Sequence, residues 1–145
     1  MTHTYLRHLP SPPLDNYIDY FYYIDGALPN PREQILPTGW LDLEVNLGDA
    51  IQVYDATGTK AVATCTQSWW VDVWNTYGTV VWPPHTQLMG IHFKPGGAYP
   101  FLNFPLSELQ NQIVPAEALW GNYAAELFER LAAAPSVAER LLLFE

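Results

Sequence analysis

The sequence is short of cysteine and of positive charge. Six Lys and Arg residues stand against 15 Asp and Glu, which gives a formal net charge of −9, and Cys65 is the single cysteine. Nucleic-acid binding depends on Lys and Arg that neutralise phosphates, so this polypeptide alone is not expected to bind DNA, RNA or an anionic membrane. A lone cysteine excludes an internal disulfide and a zinc site built from several cysteines.

Long apolar runs are missing as well. No run approaches the ~18 residues of a membrane span, and the N-terminus, MTHTYLRHLPSPP, lacks the apolar stretch of a signal peptide. Together with the single cysteine, these absences predict a cytoplasmic protein without a membrane partner. At 145 residues the chain is long enough for one domain and too short for two ordinary ones.

The first two-thirds of the sequence is predicted to be rich in β-strands. In residues 40–47 (WLDLEVNL) apolar and polar residues alternate strictly, as they do in a half-buried strand. Other short extended runs, separated by turn residues, occupy 17–24, 51–54, 61–66, 69–77, 79–82 and 86–93. Short strands at near-regular spacing indicate a sandwich or barrel and not a parallel α/β sheet.

After residue 95 the pattern becomes helical. Helical turns are predicted at 98–102, 106–110 and 115–120, and Asn122 is placed to cap a longer helix. That helix carries one apolar stripe formed by Ala124, Leu127, Phe128 and Leu131.

The chain ends on an apolar segment. Ser136 and Glu139 have the spacing of a capping box, and four apolar residues follow at 141–144. Such an end is a poor terminus for a free-standing protein, so we expect the chain to be cut within or just after a helix that continues in a longer protein. The apolar end and the helical stripe also predict self-association.

The histidine spacing gives no sign of a metal site. Metal-binding β-barrels carry two His one residue apart, followed by a Glu, whereas no His-x-His occurs here and His85 and His92 are seven residues apart. No G-x-S-x-G nucleophile motif is present either. We therefore expect no metal and no other cofactor.

Alternating aromatic and acidic residues are the best candidate for a binding site. The pattern occurs on one face of strand 40–47 and again on strand 69–77. Aromatic rings stack on sugars or hold cations, and carboxylates accept hydrogen bonds from hydroxyl or amine groups. The candidate ligand-binding residues are Trp40, Asp42, Glu44, Trp70, Asp72, Trp74 and, on the last strand, His92. In the alternative interpretation the two acids on strand 40–47 face water and the tryptophans pack under loops or helices.

Three segments resemble the N-terminal domain of AraC-type transcriptional regulators. They are 35–43 (ILPTGWLDL), 88–98 (LMGIHFKPGGA) and 106–121, and the most specific piece is 90–97. The resemblance implies a cupin-like double-stranded β-helix barrel that senses an effector, followed by helices that mediate dimerisation. It also implies a pair of C-terminal helix-turn-helix units that bind DNA and lie outside this chain. Glu44 departs from the pattern, which has an aliphatic residue at that position.

The expected fold class is therefore mainly β with C-terminal helices, or α+β. A cupin-like sensing barrel is expected at 1–95 and a helical dimerisation and linker region at 96–145, within one compact domain. The expected function is not enzymatic. A homodimeric regulator would sense a sugar, a polyol or a cationic compound, and would contact DNA only through the missing domain.

Two alternatives remain open. The first is a small cupin-like sugar-processing enzyme in which Asp42 and Glu44, on one face of a strand, act as an acid/base pair. The second is a carbohydrate-binding module with an open platform of exposed tryptophans.

Overall fold

A computed structural model describes residues 3–27, 32–35, 41–55, 57–71, 78–102, 113–134, 136 and 139–140. The predicted helical turn at 106–110, the apolar end at 141–144 and the candidate site residues Trp40, Asp72 and Trp74 lie outside these ranges. Within these ranges no helix is long and apolar enough to cross a membrane.

The described residues are mainly β, with helices toward the C-terminal end. The strands are β1 (His3–His8), β2 (Ile18–Gly26), β3 (Arg32–Ile35), β4 (Asp42–Asn46), β5 (Ile51–Tyr54), β6 (Ala61–Cys65), β7 (Ser68–Val71), β8 (Gly78–Val81), β9 (Thr86–Phe93) and β10 (Ile113–Pro115). The helices are α1 (Tyr99–Leu102), α2 (Ala116–Trp120) and α3 (Asn122–Ala133), and Leu14–Asn16 forms a 3-10 turn.

The strands form two antiparallel sheets. One sheet has six strands in the order β1-β2-β9-β4-β7-β10, and the other has four in the order β3-β8-β5-β6. From β2 to β9 the pairing is nested, because β2 pairs with β9, β3 with β8, β4 with β7 and β5 with β6. Strands far apart in the sequence therefore lie side by side.

Both faces of the six-stranded sheet are covered. Along β2, Phe21 belongs to a core that includes helical residues, whereas the next residue, Tyr22, belongs to a core shared by the two sheets. Along β7, Trp70 and Trp69 divide between the same two cores. We call these the helix-side core and the inter-sheet core. Because successive side chains of a strand point to opposite faces, every second residue of the central strands faces the inter-sheet space.

The predicted strands agree with the central strands of the structure. Residues 51–54 and 86–93 match β5 and β9, and the alternation in β4 places Leu43 and Val45 in the helix-side core, each 1% exposed. β1, β3 and β10 carry no comparable sequence signal, and each lies at the edge of a sheet. β10 also means that the chain after residue 95 is not wholly helical, because it pairs with β7.

The apolar stripe of α3 packs on the chain's own sheet. Ala124 and Leu131 are 3% and 0% exposed, and Leu127 and Phe128 pack against the helix-side core. The amphipathic helix is thus confirmed, but its stripe is occupied within the chain and is no direct argument for self-association.

The predicted caps of the helical region have opposite outcomes. The prediction that Asn122 caps α3 is wrong, because the helix already begins at Asn122 and Gly121 precedes it without a side-chain hydrogen bond. The capping prediction for Ser136 is confirmed, since its Oγ accepts a hydrogen bond from the backbone N–H of Glu139 at 3.2 Å.

The turn after β9 requires both of its glycines. Gly96 has a φ of 74°, in the left-handed region that glycine adopts most readily. A Cβ on Gly97 would lie 2.0 Å from the carbonyl oxygen of Tyr17, which also accepts a hydrogen bond from the backbone N–H of Lys94 at 2.9 Å. The Pro-Gly-Gly end of the segment 90–97 therefore has an architectural role.

Candidate ligand-binding site

The candidate site lies on the inter-sheet face of β2, β9, β4 and β7. The strand register sets two rows across the sheet: Tyr22, Gly90, Glu44 and Trp69 in the first, and Tyr20, His92, Asp42 and Val71 in the second. Every second residue of a strand lies on the same face. The two rows therefore bring the tyrosines of β2, the acids of β4 and His92 of β9 together on one face.

Gly90 makes room for the ring of Tyr22. A Cβ on Gly90 would lie 2.3 Å from the Tyr22 hydroxyl oxygen, so the phenol crosses β9 and reaches β4. There its hydroxyl lies 3.0 Å from Oδ2 of Asp42 and 3.2 Å from Oε1 of Glu44. One hydroxyl proton cannot be donated to two ionised carboxylates at once. The arrangement therefore favours a proton on one of the two acids.

Enclosure selects Glu44 as the protonated acid. Desolvation, and to a lesser degree the nearby charge of Asp42, raise the pKa of Glu44 from 4.5 to about 8. Hydrogen bonds from the side chains of Tyr22 and Trp69 oppose this rise. The pKa of the Tyr22 hydroxyl is itself raised by burial and by both acids, so the phenol keeps its proton at neutral pH.

Asp42 links this pair to a histidine and, through it, to the surface. Its Oδ1 lies 2.6 Å from Nδ1 of His92, and this hydrogen bond raises the pKa of His92. The ring of Tyr20 stacks on the imidazole with centroids 4.8 Å apart, and the exposed guanidinium of Arg7 lies 4.1 Å from the Tyr20 centroid. Within the described part of the chain, no three His, Cys, Asp or Glu side chains are grouped to hold a metal ion.

A cavity of about 80 Å³ lies between the two sheets beside Glu44. It is lined by Glu44, Ile51, Val53, Cys65, Trp69, Val71, Gly78, Val80, Trp82 and Ile113. Among the described residues of this lining Glu44 is the single carboxylate, and the other ionisable group is the thiol of Cys65. Burial and then the charge of Glu44 raise the pKa of Cys65 to about 12, so the thiol is neutral. The described lining is therefore mainly apolar, with one carboxyl group.

Trp82 carries a buried polar group without a partner among the described residues. This group is its indole N–H, which finds no acceptor there. The same is true of the indole N–H of Trp70, which lies in the helix-side core. Buried donors are nearly always hydrogen-bonded in native proteins. Trp82 also lines the cavity.

A second concavity, more polar and of about 120 Å³, adjoins the first. The two share Cys65, Trp69 and Ile113 as wall residues. The second one includes polar residues of the connection between β6 and β7 and the exposed carboxylate of Glu117 at the start of α2. The two cavities can thus be distinguished by their acids, Glu44 and Glu117.

The structure brings together three of the seven sequence-predicted site residues. Asp42, Glu44 and His92 share the inter-sheet face of adjacent strands. Trp70 does not join them, because it pairs with Leu43 and faces the helix-side core. We expected the face of Trp70 and the face of the two acids to line one lumen. This expectation is wrong for Trp70, because its neighbour Trp69 is the residue that opposes Glu44. Ligand binding by these residues stays a prediction.

Tyr22, Trp69 and Trp82 are the residues of this region that sequence reasoning misses. Adjacent aromatic residues such as Trp69 and Trp70 must face opposite sides of a sheet, so the sequence shows that one of them faces each way. Which of them opposes Glu44 depends on the register between β4 and β7, and no pattern within either strand contains that register.

The chain belongs to a family described as "Domain of unknown function (DUF6597)", whose profile matches residues 6–115. The matched segment extends from β1 to the end of β10 and so includes strands of both sheets. No curated protein matches this chain.

Several solved structures are similar to the chain at low sequence identity. A cupin_2 domain of an XRE-family transcriptional regulator from Enterobacter cloacae is 10% identical, with a TM-score of 0.46, over 66% of this chain and 99% of the other. A protein of unknown function from Vibrio parahaemolyticus is 12% identical, with a TM-score of 0.37, over 50% and 73%. Fe(II)-HppE with an alternative substrate is 11% identical, with a TM-score of 0.43, over 63% and 49%. Similarity at this level does not identify a function.

Proposed function

We propose that this chain is the effector-sensing domain of an AraC-type transcriptional regulator and that its effector is a small molecule bound between the two sheets. The observation that carries the proposal is the apolar cavity beside Glu44. Enclosing an acid in apolar surroundings costs free energy, and ligand sites combine an apolar lining with a few convergent polar groups. A binding role accounts for an acid that packing alone would disfavour.

The finer description of the fold is part of the same proposal. The strands from β2 to β9 pair in a nested order, so that β2 lies beside β9, and the two sheets share a core. This arrangement supports a cupin-like double-stranded β-helix barrel of the jelly-roll kind. The resemblance of segments 35–43, 88–98 and 106–121 to AraC-type N-terminal domains supports the regulator. The resemblance implies homodimer formation, and a cytoplasmic location is proposed on the sequence grounds given above.

β10 supplies a physical route from the cavity to the helices. Ile113 lines the cavity, β10 ends at Pro115, and α2 follows directly. Trp120 of α2 then packs edge-on against Trp70 of the sheet with centroids 5.1 Å apart. In the proposed mechanism an effector in contact with Ile113 favours one arrangement of β10 and α2, and α3 passes this bias toward the DNA-binding part.

A second candidate is a small cupin-like enzyme, and one observation favours it. Asp42 and Glu44 contact the same Tyr22 hydroxyl, while the pKa of Glu44 is about 8. Two carboxyl groups held in different environments can divide the roles of general acid and general base. In this alternative Glu44 donates a proton to the substrate and Asp42, paired with His92, is the base.

The test uses the native protein that contains this chain. Fluorescence anisotropy with the DNA upstream of its gene is expected to show binding that changes when a metabolite extract is added. Glu44→Gln is expected to keep the DNA binding and lose the response to the extract. Steady consumption of an extract component by catalytic amounts of protein, with no DNA binding, would establish the enzyme instead.

A further inference from the structure

The surroundings of Glu44 point to the charge of the ligand. Within the described residues its carboxyl contacts two neutral donors, the Tyr22 hydroxyl and the Trp69 indole, and forms no ion pair with Lys, Arg or His. A carboxylate in an apolar enclosure is stabilised by a cation that enters with good hydrogen-bond geometry. The part of the chain that the structure describes places no such cation at this point.

The walls of the cavity suit a cation that carries a small hydrocarbon body. Trp69 and Trp82 both line the space, and the faces of indole rings attract cations. The remaining lining is dominated by aliphatic side chains, which favour carbon atoms. A sugar or polyol would bring several hydroxyl groups into a space whose described lining offers them a single carboxyl group. Buried hydroxyls without partners would then oppose binding.

We propose that the cavity between the sheets binds a small organic ammonium ion, with Glu44 as its counter-ion and Trp69 and Trp82 as its aromatic walls. This inference rests on the proposed sensing function and names the class of its effector. The cavity volume of about 80 Å³ is below the ~300 Å³ of a drug-sized site, so the ligand is small. The net charge of −9 favours the approach of cations.

Binding of such a ligand is coupled to loss of a proton. The titratable groups around Glu44 are Asp42 on its own strand, Tyr22 on β2 and Cys65 on β6, and His92 of β9 faces Asp42. The described cavity residues from β5, β7, β8 and β10 are not titratable. With a pKa of about 8, Glu44 is protonated at neutral pH when alone and ionised when paired with ammonium. The bound cation therefore displaces a proton below pH 8 and none well above it.

Titration calorimetry on the native protein provides the test. The probes are isobutylammonium and cyclopentylammonium chloride, and the neutral controls of matched shape are isobutanol and cyclopentanol. Each probe is titrated at pH 6.5 and pH 9.5 in buffers of different ionisation enthalpy. We expect the ammonium ions to bind at least about tenfold more tightly than the alcohols, the effect of one charge-assisted hydrogen bond. Proton release is expected to be close to one at the lower pH and close to zero at the higher.

Two variants test which of the two cavities binds the ammonium ions. Glu44→Gln is expected to weaken ammonium binding at least about tenfold and to leave the alcohols unchanged. Glu117→Gln, which alters the acid of the second cavity, is expected to change neither. If Glu44→Gln does not fold, proton release by the wild-type protein still decides the question.

Three outcomes would overturn the inference: alcohols that bind as tightly as the ammonium ions, loss of binding in Glu117→Gln only, or no binding of any probe at millimolar concentration. The DNA-binding experiment tests the regulator proposal separately from the ammonium proposal. A DNA response to a neutral effector would keep the regulator and reject the ammonium ligand. Ammonium binding without any DNA binding would do the reverse.

Discussion

The ring of Tyr22 fills the space that a side chain on Gly90 would need. A Cβ on Gly90 would lie 2.0 Å from Cζ of Tyr22, although the two residues belong to neighbouring strands. The path of the phenol across β9, and with it the contact between its hydroxyl and the acids of β4, therefore depends on a glycine at this position.

Gly90→Ala is expected to push the phenol away and to lower the free energy of unfolding by about 1–3 kcal/mol, the usual cost of an overpacked core. Urea unfolding of the variant measures this loss. In a Tyr22→Ala background the ring is gone, so the same Gly90→Ala substitution is expected to cost less. An equal cost in the two backgrounds would mean that the clash with Tyr22 is not the cause.

The stripe of α3 leads to a second prediction about stability. Leu131 is 0% exposed in the helix-side core, whereas Leu9 is 75% exposed. Leu131→Ala is expected to lower the free energy of unfolding by about 2–5 kcal/mol, and Leu9→Ala to change it by less than about 0.5 kcal/mol. Urea unfolding compares them directly. If Leu131→Ala altered only the oligomeric state by light scattering, the stripe would be an interface and not part of the core.

The central strands could be predicted from the sequence because their residues alternate within one element. In β4 the alternation of Leu43 and Val45 with Asp42 and Glu44 already contains both faces of the strand. The edge strands β1, β3 and β10 have no such signal, although β6, which also lies at an edge, is predicted from its extended run at 61–66. Their positions depend on pairing with residues far away in the sequence.

The candidate site was predictable in part for the same reason. Asp42 and Glu44 share a face by local geometry, and the sequence is sufficient to say so. Their meeting with Tyr22 and His92 depends on β9 lying between β2 and β4, which follows from the fold and not from any spacing. The place of Trp69 opposite Glu44 depends on register, and a shift of one residue reverses every face.

The contact between His92 and Asp42 leads to a prediction about how stability depends on pH. The hydrogen bond to Asp42 raises the pKa of His92 above its ordinary 6.5, so its stabilising effect is complete below about pH 6.5 and disappears as pH rises through the folded-state pKa. Asp42→Asn is expected to lower the pKa of His92, as measured by NMR titration of the imidazole. The substitution is also expected to lower the free energy of unfolding more at pH 5.5 than at pH 9.

His92→Gln identifies the imidazole resonance of His92 in that titration. An unaltered pKa of His92 in the variant would show that the 2.6 Å contact with Asp42 does not set its protonation.

The pH dependence expected from Glu44 has the same sign as that from His92, because its pKa is also raised in the folded protein. The carboxyl ionises near 4.5 in the unfolded chain and near 8 in the folded one, so between these values the folded protein holds one more proton. The contribution of Glu44 to the free energy of unfolding therefore falls as pH rises through this window, by up to about 1.4 kcal/mol per pH unit. Glu44→Gln removes the titrating group. Its stability relative to wild type is expected to increase steadily from pH 5 to pH 8 and then to level off.

Urea unfolding at closely spaced pH values measures this difference, and Glu117→Gln serves as the control. Glu117 is an exposed carboxylate on α2, so its variant is expected to follow the wild-type curve throughout. A constant offset between Glu44→Gln and wild type across the window would mean that the Glu44 carboxyl is already ionised in the folded protein. The cavity would then hold a charge at neutral pH, and ammonium binding would release no proton.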